Sequence, residues 1–319
     1  MDAGLLYQNA KIKSKESELF GRDKMQRLSD AATAQEALRI LQEGGYPSGD
    51  DPVEVLAAAE TEATLFYKSA AVSGYGLELF LLLNDYHNAK VLAKKAYFDS
   101  NTESLKPEGL TEIKVMDESL EKDDDSLLPV EMADAFRSIR KKIADESLTP
   151  SYIDVALDKA VFAAIKAALP KAHPAVREYF VQLSDFTNIA VACRARKAGL
   201  PAAAFADMLV AEGNISYRDL KKLFELGAED GAEKLPLPRV YKDALLAMKE
   251  GTARFETYVD DALLAPIRKA RYDMFSPAAI VGFYLGKLRE IKNVRLILAK
   301  INNGVDRDVI RVRMRELYV

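Results

Sequence analysis

The sequence predicts an all-α protein built from three copies of one helical unit. Composition, the placement of helix breakers and a motif repeated around an asparagine predict this fold class. Of the 319 residues 49% are hydrophobic, and the chain is rich in Ala, Leu, Lys and Glu and lacks Trp. This composition supplies a core and favours helices over sheets. Breakers cluster between long helical patterns, as expected for helices joined by polar loops.

The clearest predicted helix begins at Ser276 and Pro277, an N-cap residue followed by proline at the first helical position. It ends at 302–304, where two asparagines and a glycine form a natural C-cap. Apolar residues recur between these points every three or four positions and predict one apolar stripe. The stripe consists of Tyr284, Leu288, Ile291, Val294, Leu298 and Ile301. The opposite, polar face is predicted to carry Lys287, Arg289 and Lys292.

A motif within this helix occurs three times in the chain. It consists of an acid, an aromatic or aliphatic residue, any residue and then Asn, followed by small or aliphatic residues. The copies centre on Asn88, Asn188 and Asn293, which are 100 and 105 residues apart. Solenoid repeats are roughly 20 to 50 residues long, so each of these units is the size of a domain. We predict three homologous helical domains, over residues 1–104, 105–207 and 208–319.

Two further patterns accompany the repeat. An acid-bearing helix is predicted before each Asn-bearing helix, and Asn9 repeats the Asn-centred core without a domain in front of it. We interpret this N-terminal segment as a half unit that the other end of the chain completes. Three similar domains in one chain can surround a pseudo-threefold axis, which predicts a funnel-like arrangement. The acids concerned are Glu60, Glu62, Asp154, Asp158, Glu256, Asp260 and Asp261.

The repeated asparagines have two candidate roles. A buried amide without hydrogen-bond partners costs about 1–3 kcal/mol, so an Asn at the same place three times implies the same partner three times. In the structural interpretation each Asn ties its helix to a neighbouring loop or helix of its own unit. In the alternative, the asparagines line a shared cavity that contacts a partner. The residues concerned are Asn9, Asn88, Asn188 and Asn293.

The sequence shows no pattern typical of a catalytic, cofactor or metal site, and we expect none. His87 and His173 are far apart and have no Cys partner at the spacing of zinc ligands. The segment 282–287 superficially resembles a phosphate loop. It is one residue too short, lacks Ser or Thr after the lysine and lies in a predicted helix.

Two acidic runs suggest an alternative, a magnesium-dependent all-α diphosphate enzyme. The runs 123–125 and 260–261 are similar to the aspartate-rich helices of terpenoid synthases, which hold magnesium and a diphosphate. That motif requires another Asp three residues beyond the pair, where this chain has Leu127 or Leu264. Charge runs are usually solvated, so this enzyme is the weaker hypothesis. A helical adaptor of another kind is a further alternative.

Charge, cysteine content and hydropathy predict the surroundings of the protein. The net charge of −4 gives no basic field for nucleic acid. The single cysteine, Cys193, and the absence of a signal peptide favour the cytoplasm. The most apolar stretch, 77–83, is far shorter than the roughly 20 residues that span a bilayer, so any membrane association is expected to be peripheral.

Arginines recur near the C-terminus at four-residue intervals, at Arg307, Arg311 and Arg315. On a helix this spacing places them on one face. Either the stripe is a solvated face of a terminal helix, or it contacts a partner or an anionic surface.

Taken together, four segments resemble the C subunit of the bacterial and archaeal V-type (A/V-type) ATPases, the counterpart of the d subunit of eukaryotes. The resemblance runs from end to end and is carried by residues 7–12, 85–90, 185–188 and 293–313. It implies a funnel of three helical domains at the base of the central stalk, with no nucleotide or ion site. It also implies a cytoplasmic protein, peripheral to the membrane, that sits on the membrane rotor ring and receives the D and F subunits of the shaft. Such a protein couples rotation of the ATP-hydrolysing head to the ion-carrying ring.

Overall fold

The computed structural model describes residues 3–304, 310 and 312–319, and every regular element in this part of the chain is helical. The all-α prediction is therefore confirmed. Two short 3-10 helices cover Glu16–Glu18 and Leu169–Lys171. In chain order the α-helices are α1 (Ala3–Lys15), α2 (Arg22–Ser29), α3 (Ala34–Glu43), α4 (Pro52–Ala70), α5 (Leu79–Phe98), α6 (Ile113–Lys122), α7 (Val130–Ala144), α8 (Pro150–Ala168), α9 (Pro174–Lys197), α10 (Ala202–Met208), α11 (Tyr217–Leu226), α12 (Ala228–Lys234), α13 (Arg239–Glu250), α14 (Thr252–Ala270) and α15 (Ala278–Asn303).

Three helices of equal length, α4, α8 and α14, precede the three Asn-bearing helices, and each has 19 residues. The first two begin with proline after a side-chain cap, because Asp51 and Thr149 accept backbone N–H bonds from the first turn. The ninth residue of each helix is an acid: Glu60, Asp158 and Asp260. Equal length and an acid at the same position extend the repeat beyond the asparagine motif.

The bounds of α15 agree with the sequence signals to within one residue, since Pro277 is the N-cap and Ala278 the first helical residue. The Ser276 hydroxyl accepts the N–H of Ala278 at 3.2 Å, and the helix ends at Gly304, which has a φ of 62°. The predicted polar face is wrong in part, because Arg289 is 5% exposed. The physical reason is that α15 packs against α1, α2, α3, α4 and α14, so it is covered on several sides.

The chain divides into two compact units, and unit 1 combines residues 1–72 with residues 228–319. In its core, buried residues of α2–α4 pack against α15; these include Leu28, Leu41, Leu56, Val294 and Ile297. Helix α1 lies beside α15, and α12, α13, α14 and α15 pack in sequence. The two ends of the chain therefore share one core.

Within unit 1, α1 and α15 run in the same direction. Near the start of α15, the Asn9 amide donates to the carbonyl of Ser276 at 3.0 Å. Further along, just after α1, the N–H of Phe20 donates to Glu290 at 2.6 Å.

Unit 2 comprises residues 73–227 and has two sets of packed helices. Helix α8 packs against α5 and α7, and α9 packs against α10 and α11. Phe80 at the start of α5 contacts Phe180 of α9, with ring centroids 4.7 Å apart, and joins the two sets. Both rings are buried, so this contact belongs to the core.

An Asn-bearing helix packs against the acid-bearing helix of the following repeat in each unit. In unit 2, Lys90 of α5 pairs with Asp158 of α8 at 2.5 Å. In unit 1, Arg295 of α15 pairs with Glu60 of α4 at 2.7 Å. Both cations lie two residues after the repeated Asn, and both acids are the ninth residue of their helix. The boundaries 1–104, 105–207 and 208–319 stay a prediction, as does the pseudo-threefold funnel.

The two glycines of segment 282–287 have a packing role. A Cβ atom at Gly282 would lie 2.5 Å from the ring of Tyr318, and one at Gly286 would lie 2.6 Å from the Cβ of the same residue. Tyr318 is buried, so these glycines form the surface of α15 on which the C-terminal segment packs.

Within the described ranges, no helix is both long enough and apolar enough to cross a bilayer.

Cys193 on α9 has a pKa raised to about 11 by burial, against the opposing effect of Arg194 and Arg196. Since the thiolate is the reactive form, its fraction at pH 8 is about 100-fold below that of an ordinary thiol. We expect a thiol reagent such as DTNB to label the native protein at least that much more slowly than the protein in denaturant. Equal rates in the two states would contradict the partial burial of the thiol.

Candidate functional site

Each of the three repeated asparagines holds a backbone segment beyond the end of its helix, 18 to 22 residues after the Asn itself. In every case the side-chain oxygen accepts an N–H, from Lys106 at 2.8 Å, Val210 at 2.9 Å or Arg315 at 2.9 Å. The side-chain N–H groups donate back to the carbonyl of the same residue, at 3.1, 3.5 and 2.9 Å in the same order. We call this two-way bond, between a helical Asn and one later residue, a helix-to-loop pin.

The pins are buried. Asn88, Asn188 and Asn293 are each 0% exposed, so their amides are fully used inside the protein. Both hydrogen-bonding groups of each amide have partners, which removes the cost of burying them. The geometry favours the structural role of these residues over a cavity-lining role, since a side chain without exposed surface has none to offer a partner.

Asn9 makes a different contact. It is also 0% exposed, and its amide donates to the carbonyls of Met274 and Ser276 at 2.9 and 3.0 Å. These residues precede α15, whereas the other three asparagines bind segments that follow their helices. Asn9 thus ties the N-terminal helix to the beginning of the last one, within unit 1.

An acid three residues before each pin Asn was part of the sequence motif, but its role was missed. Asp85 is fully buried and accepts the backbone N–H groups of three consecutive residues, 109–111, at 2.8–3.2 Å. Asp185 is equally buried and accepts the N–H groups of Asn214 and Ile215, both at 2.9 Å. The signal that could have revealed this role is an acid kept on an apolar helix face, because a buried carboxylate requires several donors.

A glycine lies against each of these two aspartates. A Cβ at Gly213 would lie 2.5 Å from the Asp185 carboxylate and 2.6 Å from the carbonyl of Val181. A Cβ at Gly109 would lie similarly close to the equivalent two groups, the Asp85 carboxylate and the carbonyl of Leu81. The loop backbone can approach the helix only where the residue has no side chain. The first two repeats therefore share an Asp, an Asn and a Gly in one arrangement.

The third repeat departs from this arrangement because its acid is Glu290. The Glu290 carboxylate is 2% exposed and accepts bonds from the Phe20 N–H at 2.6 Å, the Tyr46 hydroxyl at 2.7 Å and the Lys287 ammonium at 2.6 Å. The Lys287 ammonium also lies 3.8 Å from the centroid of the Tyr46 ring. Burial and the neighbouring Glu290 raise the pKa of Tyr46. The longer side chain thus reaches the N-terminal part of the chain instead of the following loop.

The paired acids of the third repeat hold the C-terminal segment. The Asp260 carboxylate accepts the Arg315 guanidinium at 3.0 Å, and Asp261 accepts the N–H of Glu316 at 2.9 Å. Burial opposes ionisation of Asp260, but Lys292, Arg289 and Arg315 together hold the pKa of its carboxyl below the ordinary value. These two acids are therefore used as hydrogen-bond acceptors within the fold.

The other acidic run is also engaged within the chain. The Asp125 carboxylate accepts the Arg140 guanidinium at 2.5 Å and the Ser119 hydroxyl at 2.7 Å, and the Arg140 bond lowers the pKa of that carboxyl. Asp123 pairs with the same arginine. Among the described residues, no three His, Cys, Asp or Glu side chains form a group that could hold a metal ion. Of the residues that motivated a magnesium-dependent enzyme, Asp123, Asp125 and Asp260 thus pair with cations of the protein, and Asp124 and Asp261 accept backbone N–H groups.

The predicted arginine stripe lies only partly within the described residues. Arg315 follows the last helical residues, and its side chain faces Asp260. Arg307 and Arg311 lie outside the described residues, so a partner contact of this stripe stays a prediction.

Of the two histidines, His173 caps α9 by accepting the N–H of Ala175, and His87 contacts the carbonyl of Ser104.

Replacing any one of the pin asparagines with alanine is expected to lower the free energy of unfolding by about 1–3 kcal/mol, because a buried N–H and a buried carbonyl of the loop lose their partner. Chemical denaturation of Asn88→Ala and Asn188→Ala measures this loss. Asn101→Ala is the matched control, since Asn101 is exposed and makes only a 3.5 Å contact. A pin variant as stable as this control would contradict the role of the pins.

Comparison with known proteins shows the family of this chain. Residues 8–313 match the family model of the ATP synthase (C/AC39) subunit. The chain is 22% identical to the C subunit of the V-type sodium ATPase of Enterococcus hirae, over 97% of this chain and 98% of the relative. It is 23% identical to the C subunit of the A-type ATP synthase of Methanocaldococcus jannaschii, over 93% of this chain and 83% of the relative. The chain therefore belongs to the ATP synthase (C/AC39) subunit family, whose members are non-catalytic accessory subunits of rotary ATPases.

Proposed function

We propose that this protein is the central-stalk adaptor of a V-type ATPase or ATP synthase. In this role it connects the rotating shaft, made of the D and F subunits, to the membrane rotor ring. It passes rotation between the ATP-hydrolysing head and the ring that transports ions. The observation that carries the proposal is the match to the family over residues 8–313, almost the whole chain.

The packing within each unit supports a mechanical role. An adaptor that transmits torque must resist bending, and buried pins join long helices to the loops that follow them. Arg295 and Glu60 join the last long helix to an early one, and the hydrogen bonds of Glu290 add a second tie between the same ends of the chain. Packed helices with satisfied buried polar groups have few low-energy ways to deform.

The finer architecture is part of the same proposal. We propose three homologous domains, over 1–104, 105–207 and 208–319, arranged as a funnel that receives the shaft. The local repeat of the 19-residue helix, the Asn-bearing helix and the pinned loop supports this division. The protein would then be cytoplasmic and peripheral, held at the membrane through the complex.

Reconstitution tests the coupling role. ATPase assembled in vesicles without this chain is expected to hydrolyse ATP while failing to take up ions, and adding the chain back should restore uptake. Measuring hydrolysis and ion uptake on the same vesicles separates lost coupling from lost activity. Undiminished ATP-driven uptake without the chain would refute the proposal.

Cross-linking tests whether the chain rotates with the shaft. Two parts of one rotor do not move relative to each other, so a covalent link between this chain and the shaft should leave turnover unchanged. A link between this chain and a static part of the complex should stop turnover. The opposite pattern would place the chain in the stator and exclude the adaptor role.

A further inference from the structure

One end of unit 1 carries three exposed aromatic side chains. Tyr7 is 67% exposed, Tyr272 is 69% exposed and Phe275 is 62% exposed. Single exposed apolar residues are ordinary on a soluble protein, but aromatic groups collected at one end are typical of a contact surface.

The placement of α1 brings these residues to the same end. Asn9 is bonded to Ser276 at the start of α15, so α1 is level there with the loop 271–277. Because α1 and α15 run in the same direction, residues 3–8 continue past this level by about 1.5 Å per residue. Tyr7 therefore lies at the end of unit 1 where the loop holds Tyr272 and Phe275.

Cations surround these aromatic side chains. The Lys13 ammonium lies 4.6 Å from the centroid of the Tyr272 ring, and the Arg271 guanidinium lies 4.8 Å from it. Lys269 is in the last turn of α14, directly before the loop. Lys68 is in the last turn of α4, which meets α1 where Gln8 donates to the carbonyl of Ser69. The basic aromatic surface consists of the three aromatic residues with Lys13, Lys68, Lys269 and Arg271.

The local charge is opposite in sign to that of the chain. Among the described residues, the four cations of the basic aromatic surface have two acids close in sequence or paired with them, Asp273 and Glu16, whereas the whole chain has a net charge of −4. A basic region on an acidic protein attracts an anionic surface by its local field, which acts within about 10 Å at moderate salt.

We propose that the basic aromatic surface binds the face of an anionic phospholipid bilayer. Tyr and Phe side chains partition into the interface between headgroups and acyl chains, while Lys and Arg bind the phosphates of the headgroups. The aromatic side chains project from a seven-residue loop and a helix end. A bilayer interface accommodates such side chains without a shaped pocket, whereas a protein partner requires a surface of complementary shape. This direct lipid contact goes beyond the adaptor function, which needs only protein partners.

Co-sedimentation of the full chain with vesicles tests the proposal. We expect binding to vesicles of equimolar phosphatidylcholine and phosphatidylglycerol, weaker binding as salt rises, and little binding to phosphatidylcholine alone. The variant Tyr272→Ser/Phe275→Ser should bind at least about tenfold more weakly. The variant Lys68→Gln/Lys269→Gln should lose about fivefold in affinity for each cation removed.

Leu127→Ser and Lys114→Gln are the matched controls. They remove an exposed apolar side chain and an exposed cation from unit 2 and should bind as the wild type does. Thermal unfolding of every variant checks that the fold is kept. Equal binding to neutral and anionic vesicles, or wild-type binding by both surface variants, would overturn the proposal.

A protein partner at this surface gives a different result. Unchanged vesicle binding by the variants together with weaker assembly into the ATPase would assign the surface to a protein and overturn the lipid proposal. The vesicle assay uses the isolated chain, and the coupling assay uses the reconstituted complex. Failure of one is therefore distinguishable from failure of the other.

Discussion

Replacing Glu290 with alanine is expected to lower the free energy of unfolding by about 3–5 kcal/mol, the cost of breaking a buried ion pair by removing one partner. The change leaves Lys287, Tyr46 and the N–H of Phe20 without their shared acceptor, and the side chain of Lys287 is only 16% exposed. Urea unfolding followed by circular dichroism measures the loss. Glu290→Gln should fall between the wild type and the alanine variant, since it keeps an acceptor and removes the charge.

Two further variants separate this effect from a general loss of charge. Glu18→Ala removes an exposed pair with Lys15 and should cost less than about 1 kcal/mol. Adding Lys287→Met to Glu290→Ala should recover part of the stability, because the unpaired ammonium is removed as well. If Glu290→Ala and Glu18→Ala are equally stable, Glu290 does not hold the two ends of the chain together.

Adding one methyl group at Gly213 or Gly109 is expected to destabilise unit 2 by about 3 kcal/mol, since overpacking is combined with weakened hydrogen bonds to a buried aspartate. The new Cβ would overlap the Asp185 carboxylate in Gly213→Ala and the Asp85 carboxylate in Gly109→Ala. The neighbours on the other side are helix carbonyls, which cannot move away without disrupting α9 or α5. The effect is measured as the decrease in the denaturant concentration at the midpoint of unfolding, provided that the m-value of the variant equals that of the wild type.

Gly21→Ala is the control for this pair of variants. Gly21 has a φ of −81°, which any residue adopts, and no atom lies within 4 Å of a Cβ built there. The free energy of unfolding of Gly21→Ala should stay within about 1 kcal/mol of the wild-type value, which is the scale of an N-cap preference. If the three alanine variants have equal midpoints, the close approach of loop and helix does not contribute to stability.

Local signals in the sequence predicted the elements whose causes are local. The proline after Ser276 and the glycine at 304 mark the ends of α15, because N-capping and the left-handed C-cap depend on neighbouring residues alone. The repeated Asn was visible for the same reason, since its helix has a short motif. Both helical class and repeat could therefore be read without tertiary information.

The partners of these residues could not be predicted from the sequence. The asparagines bind the backbone of Lys106, Val210 and Arg315, and a backbone group has no sequence signature. The burial of Arg289 and Glu290 was missed because the periodicity argument assumes one buried face, whereas α15 packs on several sides. The arrangement of the motif residues is local, but their bonding is set by tertiary packing.

The composition of unit 1 from both ends of the chain has a consequence for biosynthesis. Its core joins α2–α4 to α15, so the chain through α15 must leave the ribosome before residues 1–72 can be packed. Residues 73–227 are contiguous and can fold earlier, which shortens the loop that the late contacts must close. During synthesis the apolar faces of α2–α4 therefore stay uncovered until α15 has been made, and during that interval they can aggregate.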